Sequence, residues 1–401
     1  MIRNVIKYGA LAALVGLGAC EDQLVVENPN SPETRRVLAT PADAEALLAS
    51  YYKRWHDGLY RNQANIHGMA NVMSFQNYSS LANNCQGQRT PMSGAFNGNS
   101  PGNQCQSEQQ RVFFVETEVA RVATSILQQL DAGAVDLGSP ARNNRARAFA
   151  EFLRGMSMGY IALFYDSTAI ISVSLDAEDE GTLSYYTEVM DSSLAALQRS
   201  IDAATAVAAG ADGFPLPASW IPNNALSSAD FVRMVRSHRA RLRAGVGRTP
   251  AERAAADWTA IRDDAANGIT ANHLIATDPT TGPFYTWHSP YSGGGLWHQM
   301  PPFYIGMGDG ANGYYATWIA TPLGNRGAGN VAFFMDSPDL RFPQGADRTA
   351  QQADFNKTSC EASGSVCKRY FMNRPSGSDQ FAGNGWGNSN YDWQRDRKSV
   401  V

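Results

Sequence analysis

Seven large rings crowd one stretch of this chain: Trp287, Tyr291, Trp297, Tyr304, Tyr314, Tyr315 and Trp318. An aromatic plane can lie on the apolar C–H face of a sugar ring, and Trp or Tyr supplies that plane with few rotors to freeze. Beside the rings stand His288, His298, Gln299 and Asn312, whose donors and acceptors suit sugar hydroxyls. A second polar loop, residues 61–108, carries Phe75, Gln76, Asn77 and Tyr78. The pattern points to capture by stacking and edge hydrogen bonds. Trp297 and Trp287 lead the candidate set, followed by Tyr291, Trp318 and Tyr78, then Asn77, Tyr304, Tyr314 and His298. The same rings would also serve to plug the loops onto a core, since large aromatics dominate cores in any case.

Catalytic patterns are weaker. Gly155-Met156-Ser157-Met158-Gly159 matches G-x-S-x-G, but a nucleophile elbow needs a strand before it, and this pentapeptide lies inside a helical pattern. Packing by small residues accounts for it better. Gly308-Asp309-Gly310-Ala311-Asn312-Gly313 matches G-x-G-x-x-G without the strand and helix that a dinucleotide site requires, so it reads as a loop. The six His residues are scattered, and His288 and His298 lack ligand spacing. No two acidic residues present themselves as the acid and base of a glycosidase. The expectation is a protein with no catalytic residues, no metal and no cofactor.

Cysteine usage bears on compartment. Apart from Cys20, the chain has Cys85, Cys105, Cys360 and Cys367, an even set suited to an oxidising setting. Three pairings are open. Cys85–Cys105 with Cys360–Cys367 is preferred, because each pair brackets one polar loop. Closing the first loop would stabilise the fold by roughly 3 kcal/mol, less any strain. A zinc site is disfavoured by the absence of a Cys-x-x-Cys pair.

The elements that must position the loops are helical. Thr40 and Pro41 start a helix whose face carries Leu47, Leu48, Tyr51, Tyr52, Trp55 and Leu59. A second helix spans 109–130 on Val112, Val115, Val119, Val122, Ile126 and Leu130, and Gly133 ends it. Ser139-Pro140 opens a third, running to Tyr165, with Ala148, Phe152, Gly155, Gly159 and Leu163 on one face. A fourth covers 184–204 with Val189, Leu194, Leu197 and Ile201. Ser227 and Asp230 start a fifth that ends at Gly245. Thr249, Pro250 and Glu252 start a sixth that ends at Asn267-Gly268. The spacing predicts a mainly α fold of packed antiparallel helix pairs over 40–268, with a loop-rich region over 269–395.

The N-terminus sets the placement. Arg3 and Lys7 precede an apolar run, Tyr8 to Leu17, too short to span a bilayer. Leu17-Gly18-Ala19-Cys20 resembles the bacterial lipobox, which makes 1–19 a signal peptide and Cys20 an acylated anchor. Residues 20–39 read as an extended arm. Without Arg3 and Lys7, the 33 basic residues become 31 against 37 acidic ones, a net charge near −6, which argues against nucleic acid. At the other end, residues 396–401 are similar to a translated sequencing adapter, so native sequence is expected to stop near Arg395.

Together these parts resemble the SusD/RagB-like family of outer-membrane nutrient-binding lipoproteins. After the lipobox comes Leu24-Val25-Val26-Glu27-Asn28-Pro29-Asn30-Ser31-Pro32, similar to the family's N-terminal arm. Ala42-Asp43-Ala44-Glu45-Ala46-Leu47-Leu48 looks like its first helix. Ala148-Phe149-Ala150-Glu151-Phe152-Leu153-Arg154-Gly155, running on to Phe164-Tyr165-Asp166, looks like its Arg-Ala-rich helix and the turn after it. Asp336-Ser337-Pro338-Asp339-Leu340-Arg341 is similar to the family's Asp-Pro-Arg segment, although an Asp and a Leu separate Pro338 from Arg341. The likeness covers most of residues 17–345. Family members continue into further C-terminal helices, so the resemblance implies a truncated single domain over 40–395. It also implies a tetratricopeptide-like scaffold with a loop-rich ligand face, a glycan or peptide ligand, and a SusC-like TonB-dependent channel as partner at the cell surface. Two other functions fit the same chain: a lipid-anchored glycoside hydrolase, and a non-catalytic surface scaffold or adhesin.

Overall fold

The computed structural model describes residues 40–60, 66–74, 106–176, 179–222, 224–273, 275, 310, 316–317, 320–322, 336–354, 371–373 and 391–393. The first helix, α1 (Pro41–Tyr60), starts on a reciprocal cap: Thr40 Oγ1 accepts from the Asp43 amide at 3.2 Å, and the Asp43 carboxylate accepts from the Thr40 amide at 3.1 Å. Its apolar stripe buries Leu48, Tyr52, Trp55 and Leu59. Helix α2 (Ile66–Met73) and helix α3 (Gln106–Asp131) follow. The α3 stripe buries Val112, Val115, Val119, Ile126 and Leu130, and Gly133 turns the chain away in the left-handed region, φ +66°.

Helix α4 (Pro140–Phe164) is capped by Ser139, whose side chain accepts from the Arg142 amide, with proline in the first turn. It is the central helix of the described stack: α3 packs on one side of it, the next helix on another, and α1 also touches it. A short hairpin comes next, β1 (Ser167–Ala169) antiparallel to β2 (Leu183–Tyr185), with Ser167 opposite Tyr185 and Ala169 opposite Leu183. Helices α5 (Tyr186–Thr205) and α6 (Ser228–Gly245) then pack in turn, the short α7 (Pro250–Ala255) follows, and α8 (Trp258–Ala266) packs back on α6. Beyond these the described elements are α9 (Arg348–Asp354) and a second hairpin, β3 (Phe371–Asn373) with β4 (Tyr391–Trp393). The architecture is mainly α, each long helix laid against the one before it.

Small residues let α4 and α5 approach closely. A Cβ on Gly155 would lie 2.8 Å from Leu197 Cγ and 3.0 Å from the Ser193 carbonyl oxygen. Ser193 Oγ donates to the Gly155 carbonyl and Ser200 Oγ to the Ala148 carbonyl, both at 2.6 Å. The G-x-S-x-G match is therefore a helix-packing seam, and Ser157 within it is fully buried.

Two ionic locks join elements distant in sequence. Arg239 on α6 grips the Asp264 carboxylate of α8, both groups almost fully buried, while Arg236 and Arg243 lean on the same carboxylate at 3.6 and 3.7 Å. Arg248 ion-pairs with Asp166, donates to the Ala162 and Tyr165 carbonyls at 3.1 and 2.7 Å, and lies 3.8 Å over the Tyr186 ring. It so supplies donors at the carboxyl end of α4, where orphan carbonyls gather.

Several sequence expectations need correction. The loop expected over 61–108 contains α2, and α3 begins at Gln106 instead of 109. The fourth helix starts at Tyr186 rather than 184, because 183–185 pair as β2. The sixth helix is two: the chain breaks after α7, and Asp257 recaps it by accepting from the Ala260 amide at 2.9 Å. Within the region expected to be loop-rich over 269–395, the described elements are the short α9 and the β3–β4 hairpin.

Candidate functional site

The ring-bearing candidates Trp287, Tyr291, Trp297, His298, Tyr304, Tyr314 and Trp318 lie outside the described residues, as do Asn77 and Tyr78. So do Cys20, Cys85, Cys105, Cys360 and Cys367. What is described is the scaffold from which the two ring-bearing segments depart. The first joins the carboxyl end of α1, α2 and the first turn of α3. The second begins after α8, past His273.

These anchor points share one end of the stack. The Tyr165 hydroxyl, just past α4, donates to the Gln109 carbonyl in the first turns of α3, and Phe113 meets the Tyr165 ring at 5.2 Å. A chain of rings links the rest. His56 and Tyr60 lie 4.8 Å apart on successive turns of α1. Tyr60 stacks on His67 of α2 at 4.8 Å and 15°. His67 meets Tyr160 of α4 edge-on at 6.1 Å, and Tyr160 meets Trp55 edge-on at the same distance. Trp55 meets His238 of α6 at 6.3 Å, and His238 also packs on Phe152 at 5.8 Å. From Phe152 the rings run into the core through Tyr52, Phe149, Phe231 and Trp220.

Polar groups are sunk into the same place. Glu116 on α3 is fully buried against Gly58 of α1, where an added Cβ would stand 2.7 Å from its Oε1. Neither carboxyl oxygen has a hydrogen-bond donor among the described residues. Burial pushes this carboxyl well above the usual range, while Ser157 and Arg54 act weakly in the other direction. Ser157 lies near but outside hydrogen-bonding geometry, and its Oγ and the Tyr160 hydroxyl are likewise buried without a partner among the described residues. Burial raises the Tyr160 phenol, and raises Tyr165 to about 12. His238 is drawn down to about 3, by burial first and then by Arg241 and His273. Burial lowers His273 as well.

The chemistry available here is recognition through rings, imidazoles and hydroxyls. The other buried carboxylates are engaged in structure: Glu151 by Arg154 at 2.6 Å and Arg199 at 2.9 Å, Asp264 by Arg239, and Asp57 by Lys53 at 2.8 Å. Among the described residues no group of three or more His, Cys, Asp or Glu is arranged to hold a metal. Of the G-x-G-x-x-G match only Gly310 is described, and its amide is committed to the Asp336 carbonyl. In the segment ending at Arg341, that guanidinium closes back on Asp339 at 2.5 Å.

Sequence reasoning missed His56, Tyr60, His67, Glu116, Tyr160, His238 and His273. The His residues look scattered in the sequence, yet four of the six meet around this ring chain. The His56–Tyr60 spacing was the one local signal, since positions four apart share a helix face.

No helix of the described residues is long and apolar enough to cross a membrane. Neither a family model nor a curated protein matches this chain. Two solved structures do. A SusD-like carbohydrate binding protein from Bacteroides vulgatus ATCC 8482 aligns with 60% of this chain and 46% of its own, at 16% identity and a TM-score of 0.41. A SusD/RagB family protein from Bacteroides thetaiotaomicron VPI-5482 aligns with 57% of this chain and 43% of its own, at 13% identity and a TM-score of 0.40. The chain thus spans less than half the length of either.

Proposed function

We propose that this chain is a SusD/RagB-like lipoprotein that binds a nutrient, a glycan or a peptide, outside the cell and hands it to a TonB-dependent channel. One observation carries the reading: the two segments richest in candidate ligand rings leave the same end of a helical stack, and that end is itself faced with rings and imidazoles. Mooring both segments at one end of a rigid support lowers the cost of ordering them around one ligand. The lipobox at Cys20 supports placement on a membrane, since a multiply acylated cysteine holds a protein durably without a spanning helix. The action is binding and release, with no bond broken in the ligand.

Affinity electrophoresis against soluble polysaccharides, with a peptide library in parallel, finds the ligand class. Calorimetry on the best ligand then compares the wild-type chain with Trp297→Ala and Trp287→Ala. Losing a stacked ring at the centre of such a site costs about 2 kcal/mol, roughly thirtyfold in affinity. Failure of every glycan and peptide to bind, or unchanged affinity in both variants, overturns the reading.

A further inference from the structure

Six elements or their ends meet at the ring chain, and each brings polar groups to it. From α1 come Trp55, His56, Tyr60 and the Lys53–Asp57 ion pair; from α2, His67. From α3 come Arg111, reaching the Asp57 carbonyl at 3.5 Å, and Glu116; from α4, Ser157 and Tyr160. From α6 come His238 and Arg241, and beyond α8 comes His273. Of the carboxyl groups here, Asp57 is held by Lys53, and burial pushes Glu116 well above the usual carboxylate range. A His238 ring that gained a proton would face the guanidinium of Arg241 and the imidazole of His273.

We propose that this histidine–tyrosine junction is an acid-sensitive joint, holding while the imidazole of His238 at its centre is neutral and working loose ahead of the rest of the helical stack when acid protonates that ring. A neutral His238 ring lies edge-on to Trp55 and tilted on Phe152 at no electrostatic cost, whereas an imidazolium there loses hydration and repels the guanidinium of Arg241. The direction follows from linkage. His238 titrates near 6.5 in the unfolded chain and at about 3 when packed, so its contribution is complete above 6.5 and is lost as pH falls toward 3. His273 moves in the same direction. Opening one end exposes the imidazoles at less cost than unfolding the whole stack, so the joint yields first. Its consequence for capture, poorer retention of ligand in acid, rests on the function proposed above; the joint itself does not.

Hydrogen exchange read by mass spectrometry tests this on the whole mature chain without any ligand. Protection factors, corrected for intrinsic rates, are followed from about pH 7.5 to about pH 4.5. Amides of 55–60, 66–73 and 236–242 should lose about tenfold or more in protection over that range while 189–201 in α5 hold theirs. His238→Phe keeps a ring against Trp55 and Phe152 and removes the titration, so it should hold protection to lower pH. His238→Gln, neutral and polar, gives the same reading if the Phe variant does not fold. Uniform loss across α5 and the joint, or wild-type behaviour in the folded variant, overturns the proposal.

Discussion

At Glu116, burial pushes the carboxyl well above the usual carboxylate range. Its carboxyl lies in the α1–α3 interface with no donor in hydrogen-bonding geometry among the described residues, and burial outweighs the pull of Ser157 and Arg54. A folded value above the unfolded one gives stability that is complete below the unfolded value and is lost as pH rises through the folded value. Glu116→Gln should remove that alkaline loss. Calorimetric melting of both forms from about pH 5 to about pH 9 should show the wild-type chain falling relative to the variant as pH rises; parallel curves would refute it. Gly155 sets a steric limit instead. A branched side chain there must push Leu197 and the Ser193 carbonyl aside, so Gly155→Val should destabilise the chain by on the order of 2–3 kcal/mol in urea unfolding. The nature of Gly155 as a seam residue could be read from its spacing with Gly159 inside a helical period. The state of Glu116 could not, because its environment is made by Gly58 and Ser157, far from it in the chain.

At the scale of elements, the helices were readable where local chemistry marks them. Thr40, Ser139, Ser227 and Thr249 all cap as their residue types suggest, and the valine stripe of α3 is buried as its period implies. What escaped was short or interrupted. Helix α2 has only eight residues, the three-residue strands pair through each other, and the break at Ala256–Asp257 sits in an alanine run that would continue a helix. The broken helix is held by Arg239, whose partner Asp264 lies on α8. Removing the carboxylate leaves a buried guanidinium with reduced compensation, so Asp264→Ala should cost roughly 3–5 kcal/mol. Replacing both partners, Arg239→Met with Asp264→Leu, should recover most of that loss in chemical denaturation. A double variant no better than the single one would show that the pair matters through its hydrogen bonds to Gln198 and the other arginines instead.

At the scale of the whole molecule, placement and capture are the open proposals, and each has a direct readout. If Cys20 is the anchor, mass spectrometry of the membrane fraction should find a mature chain beginning at an acylated Cys20, and Cys20→Ser should release the protein from that fraction. A mature start elsewhere would remove the placement. What the sequence determined by itself was the set of long helices, their caps and their buried faces, because a helical period and a capping side chain act within a few residues. The candidate rings were also visible there as residue types in a run. Only the tertiary structure decided that His56, His67, His238 and His273 share one end, and that both ring-bearing segments depart from it. Those neighbours lie as much as 217 positions apart, from His56 to His273, and packing of α1, α4 and α6 brings them together.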